Sequence, residues 1–127
     1  MSGLRYLVPL ALVTGLFVLP GIAAGDSASA TVSFAGNATL VSSPGPAEVT
    51  LHYSCLPPSP GLIQAELDEN GVLGISLAEP ATCDGQNHSV TLIVDGLFTP
   101  GTASGLAIVN NPDFSSSAFT EATVAIK

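Results

Sequence analysis

Glu48-Val49-Thr50-Leu51-His52-Tyr53-Ser54-Cys55, followed at once by Leu56-Pro57-Pro58-Ser59-Pro60-Gly61, is the stretch that decides the fold. Val49, Leu51 and Tyr53 fall on one side of it and Thr50 and His52 on the other, the period-two signature of a half-buried strand. The prolines at 57, 58 and 60 cannot donate to a ladder, so the strand closes at Cys55. The only other cysteine, Cys83, opens a turn, Cys83-Asp84-Gly85-Gln86, ahead of a second β run from His88 to Asp95. Joining the two cysteines closes a loop of about 28 residues, worth roughly 3.5 kcal/mol of unfolded-state entropy against a typical domain stability of ~5–15 kcal/mol. The competing readings are a metal site or two free thiols. Two cysteines do not complete a zinc site, and neither histidine lies at a familiar ligand spacing.

Working outward, the N-terminus reads as a targeting segment. Met1-Ser2-Gly3-Leu4-Arg5 supplies a positive start, Tyr6 to Leu19 is almost wholly apolar, and Pro20-Gly21 breaks the helix before the small residues Ile22-Ala23-Ala24-Gly25. Residues 1–25 are therefore expected to be a cleaved signal helix and residues 26–127 a single domain, secreted and free of the membrane after cleavage. The last residues, Thr123 to Lys127, carry no hydrophobic tail, which predicts release from the cell. The short signal and the Lys-poor, Ala/Gly/Thr-rich composition point to a bacterial source. That expectation makes the glycosylation sequons Asn37-Ala38-Thr39 and Asn87-His88-Ser89 irrelevant.

Charge narrows the partners. The chain has ten Asp and Glu against two Lys and Arg. Loss of Arg5 with the signal leaves Lys127 as the one cation and a charge near −9. Nucleic acid and anionic membranes are disfavoured, because phosphate contacts need Lys and Arg. The acidic balance suits a dissolved monomer.

The remaining runs are also β. Ser29 to Phe34 alternates, Gly36-Asn37 turns, and Ala38 to Val41 is a short piece before the breaker loop Ser42-Ser43-Pro44-Gly45-Pro46. Leu62 to Asp68 places Ile63, Ala65 and Leu67 inward. Asn70-Gly71 then marks a tight hairpin, since both positions must take φ > 0. Val72 to Leu77 forms the return arm, ended by Pro80. His88 to Val94 puts Val90, Leu92 and Val94 together. Phe98-Thr99-Pro100-Gly101 is a turn, Ala103 to Val109 a strand, and Asn110-Asn111-Pro112-Asp113 another turn. Phe119 to Ile126 is the last strand, with Phe119, Ala122, Val124 and Ile126 expected in the core and a phase shift near Glu121. Seven to eight strands at this spacing predict an all-β, antiparallel, Greek-key sandwich of the immunoglobulin-like kind, with an up-and-down barrel as the alternative.

Tyr53-Ser54-Cys55, then Ala81-Thr82-Cys83-Asp84-Gly85-Gln86-Asn87-His88, then Phe98-Thr99-Pro100-Gly101-Thr102-Ala103 make a Y-x-C…C-D-G…H…F-x-P-G-x-A pattern. It resembles small secreted, single-disulfide immunoglobulin-like domains of actinobacteria, over most of the mature chain. The resemblance implies the fold and export; it brings no assigned activity and no catalytic residues. The chain departs from the antibody pattern in having its second cysteine just ahead of a strand and no Trp to pack on the bridge.

Candidate chemistry is thin. Gly25-Asp26-Ser27 spells the start of a GDS-esterase motif, but lacks the large scaffold such enzymes need. Gly74-Ile75-Ser76-Leu77-Ala78 half-matches a nucleophile elbow without the second glycine. His52 and His88 could share a neighbourhood beside the cysteines with Ser54, Ser89 and Asp84; the plainer reading leaves His52 solvated and His88 bonded to the Asp84-Gly85 turn. Glu66 to Gly71 resembles the first half of a calcium loop but has Leu77 where the bidentate Glu belongs. No catalytic residue, cofactor or metal is expected. Of the mature chain's aromatics, Phe114 is the one expected to be exposed. We therefore expect a non-enzymatic binding module acting through loops at one end of the sandwich, Leu56 to Gly61, Asp95 to Gly101 and Asn110 to Ser117. Leu56, Pro57, Pro58, Phe98 and Phe114 are the candidate contact residues, and the partner is an unidentified extracellular protein or small ligand. The alternatives are an inhibitor of a secreted enzyme, presenting Leu56-Pro57-Pro58, and a small-ligand carrier.

Overall fold

The computed structural model describes residues 30–127. The expected signal segment, residues 1–25, lies outside the described residues, as does Gly25-Asp26-Ser27. Nine strands follow one another: β1 (Thr31–Phe34), β2 (Thr39–Leu40), β3 (Gly45–Ser54), β4 (Gly61–Glu69), β5 (Val72–Ile75), β6 (Glu79–Ala81), β7 (His88–Phe98), β8 (Gly101–Asn110) and β9 (Ser117–Ile126). Every named pairing is antiparallel, and the described residues contain no helix.

Two sheets result. In one the order is β9-β8-β4, with β5 and then β6 along the free side of β4; in the other β3 is central, with β1 and β2 on one side and β7 on the other. Chain neighbours such as β3 and β4 lie in different sheets, so the strands are not in up-and-down order. Each seam between the sheets is closed by backbone bonds. Ala38 bridges Ile126 in parallel, with Ala38 N donating to the Ala125 carbonyl at 2.8 Å and Lys127 N to the Ala38 carbonyl at 3.0 Å. At the opposite seam Ser76 bridges Val94. The side chains of Val49, Leu51, Ile63, Leu67, Leu92, Val94 and Val109 fill the space between, all without exposed surface or nearly so.

Alternation carries most of this arrangement, as expected for β3, β4 and β7. The tip between β4 and β5 takes the expected positive torsions, φ 51° at Asn70 and 89° at Gly71. Several expectations are corrected, beginning with the count of seven to eight strands, which is nine among the described residues. Pro80 does not end the strand region; it sits within β6 opposite Leu62, an edge position where its missing N–H costs nothing. The breaker loop is shorter than expected, because β3 already starts at Gly45, with Pro46 inside a register irregularity between Gly45 and Ala47. Phe119 is not core. The β8–β9 register runs unbroken from Ser117↔Asn110 to Ile126↔Gly101, so no phase shift occurs; Ala118, Val124 and Ile126 point in and Phe119 points out. Ala122, on the inward side of the strand, is exposed as well.

Phe98 shows how one end of the core is plugged. It is the last residue of β7 rather than part of a turn, and it has 0% exposure. Its ring occupies space that side chains at Gly74 and Gly96 would take: a Cβ on Gly74 would stand 2.8 Å from Cζ, and one on Gly96 2.7 Å. Two glycines on adjoining strands thus make room for one aromatic ring.

Candidate contact surface at the disulfide end

The disulfide between Cys55 and Cys83 spans 28 positions with the Cα atoms 4.5 Å apart, and both cysteines are buried. It fixes the start of the Leu56–Pro60 loop against the segment leading to β7. Further bonds tie the same place. Tyr53, buried in β3, accepts a bond at its hydroxyl from Thr82 N at 2.9 Å; Cys83 N donates to Ser59 Oγ at 3.0 Å and Gly85 N to the Cys55 carbonyl at 2.8 Å.

A second loop, Asn111–Ser116, joins β8 to β9 and meets the first. Two of its side chains are wholly buried and do the joining. Asn111 Nδ2 donates to the carbonyls of Leu56 (3.0 Å) and Pro57 (3.2 Å) and to Ser115 Oγ (2.9 Å), while its Oδ1 accepts from Ser116 N at 3.1 Å. Ser116 Oγ accepts from Leu56 N at 3.0 Å. Both backbone polar groups of Leu56 therefore end on buried side chains of the other loop. Such fully satisfied buried networks rigidify what they join.

Phe114 sits at the tip. Its φ of 60° is left-handed, a conformation that costs a bulky residue about 1–2 kcal/mol, and its side chain is 64% exposed. Phe114 N donates to the Asn111 carbonyl at 3.1 Å, and the next residue is fixed by Asp113, whose Oδ1 accepts from Ser115 Oγ at 2.7 Å and Ser115 N at 3.0 Å. Those bonds, the Ser115 hydroxyl's first, hold the Asp113 carboxyl below its usual range. An exposed aromatic in a strained, bonded backbone means that the surrounding loop dictates where the ring stands.

Of the expected contact residues, Leu56, Pro57, Pro58 and Phe114 come together here with exposed surface. The Pro57-Pro58 and Ser59-Pro60 peptide bonds are cis. Phe98 does not join them. It is buried, and the β7–β8 turn that follows it lies at the opposite end of the sandwich, where Thr99 N donates to Glu69 Oε1 at 3.0 Å. The three expected loops are thus two at one end and one at the other, because β7 and β8 each run the full length of the domain. Asn111 and Ser116 escaped the sequence reading. Asn-Pro-Asp reads as a turn, and nothing local says that two turns converge on one buried amide.

The histidines separate. His52 pairs with Ser89 on the outer face, Nδ1 standing 3.0 Å from Ser89 Oγ. His88 lies opposite Tyr53, on the other face of the strand pair, with its ring 5.7 Å from the Tyr53 ring and Nε2 2.8 Å from Asp84 Oδ1. That bond, then the one from Gln86 N, lowers the Asp84 pKa. Ser76 is buried, its Oγ accepting from Ala65 N and donating to the Leu77 carbonyl, each at 3.0 Å, which occupies it structurally. The carboxylates of Glu66 to Gly71 do not converge: Glu66 and Asp68 face out while Glu69 turns inward to Thr99. Among the described residues, no group of three His, Cys, Asp or Glu could hold a metal ion.

The geometry defines a disulfide-clamped, two-sheet all-β domain with a preformed loop surface at the clamped end. No protein-family model, no curated protein and no solved structure matches the chain.

Proposed function

We propose that the protein is a secreted, non-enzymatic binding module of immunoglobulin-like Greek-key build that grips an extracellular protein through Leu56, Pro57, Pro58 and Phe114. The observation that carries the reading is Phe114, exposed on a left-handed backbone beneath which Asn111 is fully buried. A preformed aromatic anchor loses little entropy on binding and is a common source of interface energy. Export accords with the apolar N-terminal stretch and with the disulfide, which persists in oxidising compartments. A monomer acting by contact needs no cofactor.

Capture tests it. The tagged protein, exposed to culture supernatant and washed cells of its source, is expected to enrich one partner, and Phe114→Ser to lose it. Equal capture by the variant would sink the reading. A second reading, inhibition of a secreted protease by the Leu56-Pro57-Pro58 segment, is favoured by the tie of Leu56 N and O to Ser116 and Asn111. In that case Leu56→Asp abolishes inhibition of the captured enzyme.

A further inference from the structure

The seam where β5 meets β7 carries a concentration of apolar surface that the loop end does not use. Leu73 and Ile75 on β5, Leu77 just beyond it, and Ile93 and Leu97 on β7 are all exposed, Leu77 at 77% and Leu97 at 69%. Strand alternation produces this. Gly74 and Ser76 point inward on one side of the seam and Val94 and Phe98 on the other, so the intervening residues all face out. The Ser76–Val94 bridge and the close approach of Gly74 to the Asp95 carbonyl bring the two outward rows side by side as one aliphatic ridge. Single exposed aliphatics are ordinary, but contiguous groups of them mark interaction sites.

Carboxylates flank the ridge and interrupt it. On β4, Glu66 lies opposite Ile75 and Asp68 opposite Leu73. On the far side Glu48 on β3 lies opposite Ile93, and Asp95 is set into the ridge itself, between Ile93 and Leu97 on β7 and across the seam from Ile75. The only Lys or Arg among the described residues is Lys127, at the other seam beside Ala38. A second copy of this chain would set carboxylate against carboxylate, and an anionic lipid or nucleic acid would be repelled in the same way. What complements apolar surface flanked by Glu66 and Asp68 on one side and Glu48 on the other, with Asp95 set in it, is apolar surface that carries Lys and Arg.

We propose that the β5–β7 ridge docks a cationic amphipathic protein segment, its apolar side chains on Leu73, Ile75, Leu77, Ile93 and Leu97 and its Lys or Arg on Glu66, Asp68, Asp95 and Glu48. Glu66 supports this independently of the pattern. Burial, and then the charge of Asp68, push its pKa up to about 7. The facing strands offer it no cation: β5 presents Leu73 and Ile75, and β8 presents Ser104, Leu106 and Ile108, with Glu121 one strand further on β9. A partner's cation relieves that frustration, so docking strengthens as pH rises through about 7 and Glu66 ionises.

The test is titration calorimetry on protein purified after expression of the full chain, with a synthetic leucine–lysine amphipathic peptide as probe. Polylysine and a leucine–glutamate peptide serve as comparators. The probe is expected to bind at least about tenfold more tightly than either comparator. Leu73→Ser with Leu97→Ser is expected to weaken it about tenfold, and Glu66→Gln with Asp95→Asn to weaken it similarly and flatten its pH dependence. The carboxylate pair keeps side-chain size and serves if the leucine pair disturbs folding, which circular dichroism reports. Polylysine binding as tightly as the probe, or either variant pair binding it unchanged while folded, overturns the proposal. So does self-association in sedimentation that the leucine variants abolish.

Discussion

Asn111 makes more directed bonds than any other side chain at the clamped end, and its removal is the sharpest probe of what holds the loops. Asn111→Ala strips partners from the part-buried carbonyls of Leu56 and Pro57 and from the buried Ser116 N. Denaturant unfolding is expected to show a loss of about 1–3 kcal/mol, the range for orphaning buried polar groups. Glu66 gives a prediction with a sign. Its folded pKa of about 7 lies above the ordinary 4.5, so the folded state holds a proton that the unfolded chain releases between those values. That contribution is complete below 4.5 and is lost as pH rises through about 7. Glu66→Gln should therefore gain about 1 kcal/mol over the parent at pH near 8, after allowance for solvent screening, and nothing in mild acid, as thermal melts will show. Asp84 and Asp113, both lowered, oppose this by losing their bonds as pH falls. Neither Asn111 nor Glu66 was legible in the sequence. What matters at each is which distant strand or loop lies beside it, and residue type alone does not encode that.

At the scale of strands, legibility follows the strength of alternation. Val49-Leu51-Tyr53, Ile63-Ala65-Leu67 and Val90-Leu92-Val94 each announce their inward face, and the Asn70-Gly71 tip fixes the β4–β5 register. β9 departs from expectation at Phe119 because size alone does not send an aromatic to the core. Val124 and Ile126 set the phase instead, and Phe119 followed it outward. Phe98 departs in the opposite sense, since Pro100-Gly101 predicts a turn there although β7 carries it two residues past Gly96. Its ring needs Gly74 to remain bare. Gly74→Ala places a methyl group against the Asp95 backbone and the Phe98 ring, which the β5–β7 seam must shift to accept. A loss of about 1–3 kcal/mol is expected by denaturant titration, as for an overpacked core. Gly71→Ala meets no atoms and should cost only the strain of its φ of 89°, about 1 kcal/mol.

Over the whole molecule the two sheets are bridged at both seams, by Ala38–Ile126 and by Ser76–Val94, and the disulfide ties the end of β3 to the segment between β6 and β7. The first two are consequences of the strand order and were not readable beforehand. The third was, since two cysteines leave one pairing. Replacing both with Ser should lower stability by about 3.5 kcal/mol if the chain-entropy account holds. Chemical denaturation compared with the reduced parent will separate that term from the lost side chains. The same layout sets the two proposed surfaces apart. Loops bonded to one another present Phe114 at the clamped end, while the aliphatic ridge runs along a seam between strands. Both rest on elements that the closed sandwich holds in place.

Native-state amide hydrogen exchange at Leu56 and Ser116 decides whether the clamped end is a preformed surface or a pair of independent loops. Both amides donate to buried side chains of the loop cluster, at 3.0 and 3.1 Å. They are expected to exchange as slowly as the central amides of β3 and β4, and Asn111→Ala should release Ser116 to fast exchange while the strands stay protected. Exchange of both amides at the rate of an open loop in the parent protein would mean that the two loops move independently and that no preformed surface exists.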